Sequence, residues 1–155
     1  MNTVRRSAVQ NTWMELREEY PDETKGWRLC FDSRPKSRLG QCRYGPKEVA
    51  VSAFYVDGTA PMEGVLDTIR HEVAHILAGP RAKHGPKWKN WARRVGAKPN
   101  RCGDVAISHM PKRKYEVVCR GCDKVVARRH RRTDLSNRYH PKCGQEKGSV
   151  FYRRS

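Results

Sequence analysis

The amino-acid sequence predicts an α+β fold, in which a small meandering β-sheet with packed helices is followed by a C-terminal zinc ribbon. Three short strand-like segments lie between two stretches of helical periodicity in the first 80 residues. The second helical stretch carries two histidines four residues apart, and the last third of the chain carries two Cys/His pairs at metal-binding spacing. We therefore expect two domains, residues 1–110 around that helix and residues 111–155 as the ribbon.

The size and composition of the chain limit its apolar core. The 155 residues suffice for one compact domain with a small appendage, but 32% of them are charged and the mean hydropathy is −0.90. We therefore expect bound metal to contribute to stability. No apolar run approaches the roughly 18 residues of a membrane helix, and the first residues lack the apolar segment of a signal peptide. These features predict an intracellular, cytoplasmic monomer that contacts no membrane, with its six cysteines reduced or metal-bound.

The formal net charge of +17 is concentrated in the last third of the chain. Residues 111–155 contain 14 Lys and Arg against 4 Asp and Glu, so they supply +10 of the total. A localised basic segment is typical of a protein that binds a polyanion, most often nucleic acid. A charged surface that serves only solubility more often mixes the two signs. We therefore expect this segment to bind DNA.

A helix over residues 65–78 is the central feature of the sequence, because it carries the motif His71-Glu72-Val73-Ala74-His75. Apolar residues recur along it every four positions, and Gly79-Pro80 ends it. His71 and His75 leave the same face of the helix, about one turn apart. Two such histidines beside a glutamate are typical of a zinc site with a carboxylate next to the metal. The alternative is a solvated helix face with two histidines of no special role.

His84 supplies a third candidate ligand, in the segment His84-Gly85-Pro86-Lys87-Trp88. A catalytic zinc has three protein ligands and keeps one position open for water, so the three histidines predict a catalytic zinc site. Glu72 is then free to act as the general base. Asp67, one turn before His71, either orients that imidazole or is an acid that suits the start of a helix.

The remaining elements of the first domain are two helices and three strands. Residues 3–20 have an amphipathic helical pattern, with Thr3 as a suitable N-cap. The predicted apolar stripe of this helix consists of Val9, Trp13, Leu16 and Tyr20. Strands are predicted over residues 27–31, 39–44 and 48–56, and a second short helix over residues 87–95. Cys30 and Cys42 fall within the strands without metal-binding spacing, so we interpret them as buried free thiols.

The last segment has the spacing of a second, closed metal site. Cys119-Arg120-Gly121-Cys122 is followed, after 17 residues, by His140-Pro141-Lys142-Cys143. These pairs predict a Cys3His zinc site, which is structural because four protein ligands leave no position for substrate. The alternative for His140 is a surface histidine that does not bind the metal. Strand-like segments surround the two pairs at residues 115–118, 124–128 and 149–152.

A run of arginines lies between the two metal-binding pairs. On so small a scaffold these side chains cannot be buried, so we predict that they form a phosphate-binding edge. The predicted nucleic-acid-binding residues are Arg128, Arg129, Arg131, Arg132, Arg138 and Tyr139. Tyr139, Phe151 and Tyr152 are available to stack on unpaired bases, although packing inside the ribbon is the alternative and is favoured for Phe151.

With these motifs the chain resembles the SprT-like, Spartan-related zinc metalloprotease family. The resemblance rests on the motif from His71 to His75, the segment that begins at His84, the preceding Leu39-Gly40-Gln41-Cys42-Arg43-Tyr44 and the C-terminal Cys/His pairs. It implies a zincin-type protease domain that acts near DNA, including on proteins crosslinked to DNA and so in DNA repair. At His140 the chain departs from the family ribbon, in which cysteine is commoner.

Other classes of function explain fewer of these residues. A nonenzymatic zinc-ribbon DNA-binding regulator has no use for Glu72 beside three histidines. A nuclease would require a carboxylate-rich or His-Asn metal site, whereas Glu72 is the only clustered carboxylate. A metzincin would require glycine where the chain has Ala78, and a cell-wall peptidase fits poorly with a chain that lacks an export signal. The sequence therefore favours a zinc endopeptidase with Glu72 as its general base.

Overall fold

The computed structural model describes residues 1–34, 38–100 and 113–155. The chain forms two compact units, Met1–Met110 and Pro111–Ser155, and the fold is α+β with one small sheet in each unit. None of the helices in the described part of the chain is long and apolar enough to span a membrane. Cys102 lies outside the described residues.

The first helix, α1, spans Thr3–Glu19 and packs one face into the core of the first unit. The prediction of Thr3 as its N-cap is wrong. Asn2 is the N-cap, because its Oδ1 accepts a hydrogen bond from the backbone N–H of Arg5 at 3.2 Å. The predicted apolar stripe is confirmed: its first three residues are buried and Tyr20 packs against the core.

Three strands form the sheet of the first unit. They are β1 (Arg28–Asp32), β2 (Gly40–Arg43) and β3 (Glu48–Ser52). Their order is β1-β3-β2, with β1 parallel and β2 antiparallel to β3, so the predicted meander is wrong. Seven residues separate β1 from β2, far more than the two of a tight hairpin, which allows β3 to lie between them. Cys30 and Cys42 are free thiols as predicted, but they are half-buried because they lie on the two edge strands.

The third strand is shorter than predicted, because a helix begins where the strand was expected to continue. Helix α2 spans Ala53–Asp57, and Ser52 is its N-cap. The Ser52 hydroxyl oxygen accepts a hydrogen bond from the backbone N–H of Tyr55 at 3.3 Å. The apolar residues predicted to extend the strand are instead buried on α2.

Helices α3 (Met62–Ala78) and α4 (Pro86–Arg94) complete the first unit. The apolar residues of α3 that recur every four positions are buried, and α3 contacts α1, α4, β2 and β3. Gly79 ends α3 with a φ of 85°, a conformation that residues with a Cβ rarely adopt. Helix α4 begins at Pro86 and buries Trp88 and Ala92, as its sequence pattern predicted.

The second unit is a three-stranded antiparallel sheet with a very small core. Its strands are β4 (Tyr115–Cys119), β5 (Val125–Arg129) and β6 (Val150–Arg154), in the order β5-β4-β6. A 3-10 turn at Pro141–Cys143 and the single-turn helix α5 (Gly144–Lys147) precede β6. Among the described residues of this unit, the buried hydrophobic ones are Val117, Val118 and Cys119. So little apolar burial leaves the unit dependent on other sources of stability.

Candidate metal centres

The structure brings the three predicted histidines of the first unit together. His71 and His75 leave α3 one turn apart, and His84 approaches them from the connection to α4. The His84 Nε2 lies 3.0 Å from the His71 Nε2 and 3.2 Å from the His75 Nε2. In the described part of the chain, these three residues form one of two groups whose potential ligand atoms all lie within 4.8 Å of one another. Glu72 is not part of the group.

These separations fit a tetrahedral zinc ion. With Zn–N bonds near 2.0–2.1 Å, two ligand nitrogens are about 3.3 Å apart, close to both observed distances. The Nε2 of His84 has either one hydrogen or one lone pair, so in no tautomer can it form a good hydrogen bond with both neighbouring nitrogens, and a cation among the three rings accounts better for their convergence. Three ligands leave one of the four zinc positions for water or substrate.

The surroundings of His71 and His75 keep these two rings in the neutral form that binds a metal. Burial, with the neighbouring imidazoles adding to it, lowers the pKa of His71 to about 3. Burial and the proximity of His84 lower the pKa of His75 to about 4. Proton competition for these nitrogens is therefore weak at neutral pH.

Trp88 forms the floor under the three imidazoles, a role that the sequence analysis did not assign to it. Its ring centroid lies 4.6 Å from those of His71 and His84 and 5.3 Å from that of His75. The side chain is fully buried, and its Nε1 has no hydrogen-bond partner among the described residues. The signal for this role was the spacing: Trp88 lies four residues after His84, one turn into the helix that His84 precedes.

Glu72 follows His71 in the chain, and its carboxylate lies against strand β2 of the sheet. Glu72 is 6% exposed, and burial raises its pKa to about 7, while a backbone hydrogen bond from Cys42 and the charge of Arg38 act in the opposite direction. A Cβ placed on Gly40 of β2 would lie 2.8 Å from the Glu72 Oε1. The carboxylate therefore reaches this position only because residue 40 has no side chain.

Two further contacts hold the histidine helix in place. The hydroxyl of Tyr44 donates a hydrogen bond to the backbone carbonyl oxygen of His75 at 2.6 Å. Asp67 Oδ1 accepts a hydrogen bond from the backbone N–H of Lys98 at 2.8 Å. Asp67 thus anchors the chain that follows α4. This contact explains why an acidic residue stands at position 67, and no interaction with His71 is needed to explain it.

If Glu72 is the general base that the sequence predicts, Gly40→Ala should reduce peptide cleavage by about 10²-fold and leave the three histidines in place, because the added methyl group would meet the Glu72 Oε1 and the Thr68 Cγ2, each at 2.8 Å, and displace the carboxylate. The measurement is the initial rate of peptide cleavage, together with the zinc content of the purified variant. Gly45→Ala is the matched control, since a Cβ at that position meets no atom within 4 Å. Equal rates for both variants would show that the position of Glu72 does not limit the reaction.

The second metal-binding group lies in the ribbon, where the structure brings together Cys119, Cys122, His140 and Cys143. The His140 Nδ1 lies 3.4 Å from the Cys122 Sγ and 3.3 Å from the Cys143 Sγ. Zinc with Zn–S bonds near 2.3 Å and a Zn–N bond near 2.0 Å separates such atoms by about 3.5 Å, so a closed tetrahedral site fits. The histidine thus stands in the position of a fourth ligand.

The backbone around Cys119 favours the thiolate that binds zinc. Burial acts to raise the pKa of Cys119, but hydrogen bonds from the backbone amides of Gly121 and Cys122 outweigh it, so the pKa is lowered. Gly121 is required in this loop, because a Cβ there would collide with the backbone carbonyl of Lys147. These features are typical of a metal-binding turn.

The predicted nucleic-acid-binding residues do not share one environment. Arg128 forms an ion pair with Glu116, whereas Arg132 stacks over Tyr115 and Tyr152, with distances from its Cζ to the ring centroids of 5.2 and 6.0 Å. All six residues are exposed, including Arg129, Arg131, Arg138 and Tyr139, which take part in neither of these contacts. The sequence predicted exposure of the basic side chains but gave no sign that one of them has an acidic partner.

Comparison with known proteins gives one match. A family model described as the SprT-like family matches residues 9–109, a span that includes all three histidines, Glu72 and Gly40 but ends before the ribbon. No curated protein and no solved structure matches the chain.

Proposed function

Because the chain belongs to the SprT-like family, we propose that it is a zinc-dependent endopeptidase that acts on proteins associated with or crosslinked to DNA. Membership of the family indicates a zinc-dependent, protease-like role. The proposal rests chiefly on one observation: the Nε2 atom of His84 lies within 3.2 Å of those of both His71 and His75, while the buried carboxylate of Glu72, the residue after His71, is not part of this group. A site that served only to hold the fold together would be expected to offer four ligands.

We assign the three histidines to a catalytic zinc and Glu72 to the general base. Zinc, when bound, supplies a Lewis acid for the scissile carbonyl and lowers the pKa of water at the open position. Glu72 would accept a proton from the attacking water and return it to the leaving amine as the peptide C–N bond breaks. Its buried position excludes bulk water and holds its pKa near 7, where a carboxylate can both accept and return a proton.

Strand β2 offers a place for the peptide. It lies at one edge of the sheet, and its residue Gly40 adjoins the Glu72 carboxylate. Apart from the Cys42 N–H, which is already hydrogen-bonded to the Glu72 carboxylate, the backbone N–H and C=O groups on the outer side of this edge strand can pair with an extended peptide, which would then lie along it as an added strand. In this arrangement the scissile bond passes the three histidines in an extended conformation that a flexible segment of a protein adopts more easily than a folded core.

We assign the recruitment of DNA to the ribbon, on the basis of charge. Residues 111–155 carry +10 of the formal +17, and a basic segment gains affinity for nucleic acid by releasing counterions from phosphates. The four-ligand zinc site of the ribbon has no open position, so its contribution is to maintain the structure of that surface. The proposed division of labour is that residues 1–110 cut and the ribbon brings the substrate.

The test compares cleavage of one protein substrate free in solution and bound to DNA. We expect cleavage of the DNA-bound form to be about 10-fold faster or more, because binding to the same DNA raises the local concentration of the substrate. The advantage should disappear at high salt. Equal rates with and without DNA would remove DNA from the function. If the zinc-loaded chain cleaves neither form, a nonenzymatic DNA-binding role replaces the protease.

A further inference from the structure

The register of the ribbon sheet separates its basic residues onto two faces. Residues directly opposite each other in antiparallel strands lie on the same face, and neighbours along a strand lie on opposite faces. Glu116 of β4 is opposite Arg128 and Arg153, whereas the preceding residue, Tyr115, is opposite Arg129 and Arg154. The adjacent residues 128 and 129 therefore present their guanidinium groups to different surroundings.

On the first face, Glu116 holds two arginines. It forms ion pairs with Arg128 at 3.0 Å and with Arg153 at 2.8 Å, and its own side chain is 13% exposed. The two guanidinium groups lower the pKa of the Glu116 carboxyl, which stays ionised at neutral pH. The net charge of this trio is thus +1, and part of each guanidinium group is already hydrogen-bonded to the carboxylate, which leaves fewer donors for a phosphate. We call Glu116, Arg128 and Arg153 the Glu116 face.

On the opposite face, basic side chains surround a pair of tyrosines. The rings of Tyr115 and Tyr152 meet edge to face at 5.9 Å, and Arg132 stacks over both. Hydrogen bonds with Thr133 lower the pKa of Tyr152, with smaller contributions from the positive charges of Arg129 and Arg138. By register Arg154 also lies on this side of the sheet. We call Tyr115, Tyr152 and three of the arginines near them, Arg129, Arg132 and Arg138, the Tyr152 face.

The arginines of the Tyr152 face form no ion pair with a carboxylate of the described residues. Asp134, which is close to them in sequence, accepts hydrogen bonds from the backbone N–H and the hydroxyl of Ser136. Three positive charges therefore remain without a carboxylate partner on an aromatic platform that limits where Arg132 can point. Such an arrangement attracts phosphates and positions them better than a set of unrestrained side chains does.

We propose that the phosphate backbone of DNA binds the Tyr152 face, through Arg129, Arg132 and Arg138. The arginines of the Glu116 face instead stabilise the ribbon sheet through their ion pairs with Glu116. This inference rests on the proposed function, in which the ribbon recruits DNA. It divides the arginines of the ribbon between DNA binding and ion pairs within the sheet, and it removes Arg128 from the predicted DNA interface.

The experiment measures binding of a fluorescent DNA oligonucleotide to the full zinc-loaded chain over a range of salt concentrations. Arg129→Gln/Arg138→Gln should reduce the salt slope by about 2 and weaken binding by at least about 10-fold near 0.1 M salt, since each lost phosphate contact removes roughly 0.9 from the slope. Arg128→Gln/Arg153→Gln is the matched control, because it removes the same charge from the other face. We expect it to change the slope by less than about 0.5.

A second measurement needs no variant. In the wild-type chain, bound DNA should protect Arg129, Arg132 and Arg138 from modification by an arginine-specific dicarbonyl, and leave the modification of Arg128 and Arg153 unchanged. Equal effects of the two double variants, or equal protection of both faces, would overturn the assignment of the face. So would polyglutamate that displaces the labelled DNA as effectively as unlabelled DNA does. A wild-type chain that does not bind DNA would overturn the recruitment as well. Face-specific binding without cleavage of a DNA-bound protein would overturn the protease alone.

Discussion

Replacement of Glu72 by Gln should reduce proteolysis by about 10²–10⁴-fold while zinc and fold are retained. The amide has the same shape as the carboxylate and fits the same space against Gly40, but it cannot accept a proton from the attacking water. Residue 72 is not among the three proposed zinc ligands, so the zinc content should stay at the wild-type value. The measurement is the initial rate of cleavage of a flexible protein substrate, with elemental analysis of the same sample.

Glu63→Gln provides the matched control for this change. Glu63 lies on the same helix, but its side chain is 71% exposed and pairs with Arg70 at the surface. The same substitution there should leave the rate within about twofold of wild type, because an exposed ion pair contributes little. A Glu72→Gln variant that kept more than about a tenth of the wild-type rate would assign the proton transfer to another group.

The helix that carries the candidate site could be predicted because its pattern has a single period. Buried residues at every fourth position fix which side of α3 faces the core, and the same spacing puts His71 and His75 together. The glycine at residue 79 and the proline at residue 86 mark the end of α3 and the start of α4. The fixed spacing was therefore sufficient to place His71 and His75 together, whereas His84 was indicated by the Gly-Pro-x-Trp segment that follows it.

The order of the strands was not predictable from local pattern. An alternating segment shows that residues form a strand, but it does not show which strand lies beside it, since pairing depends on contacts distant in sequence. The parallel pairing of β1 with β3 leaves β2 at the edge, and this position brings Gly40 against Glu72. The contact between the edge strand and the proposed base thus follows from the strand order. The sequence predicted a different order, that of a meander.

In the ribbon, the sequence predicted the ligands and the strands but not the division of the arginines. Cys-x-x-Cys spacing is a local property, and so is strand propensity. By contrast, Glu116 lies twelve residues from Arg128 and 37 from Arg153, and only the register of β4 with its two neighbours brings them together. Counting the arginines in a stretch of sequence therefore overestimates the number of positive charges that are available to a ligand.

The wild-type chain purified without added metal should contain about two zinc equivalents, and the two sites should respond differently to loss of a ligand. His84→Ala should remove about one equivalent and abolish cleavage, while α3 and α4 stay folded on their apolar core. Cys119→Ser should remove the other equivalent and unfold the ribbon, because little in that unit besides Val117 and Val118 is buried and apolar. The measurements are elemental analysis and backbone amide NMR spectra of each variant.

Matched controls use residues of the same type outside the two metal-binding groups. His130→Ala and Cys30→Ser should each keep about two equivalents of zinc, since neither side chain belongs to a group. The difference between the sites has a physical cause: the first unit buries a cluster of about twenty hydrophobic residues around α3, whereas the ribbon has no comparable core in its described residues. Loss of zinc should therefore cost the first unit its chemistry and the second its structure. If Cys119→Ser loses its zinc but leaves the amide spectrum of the ribbon intact, the metal does not maintain the fold, and a role in holding the DNA-binding surface fails with it.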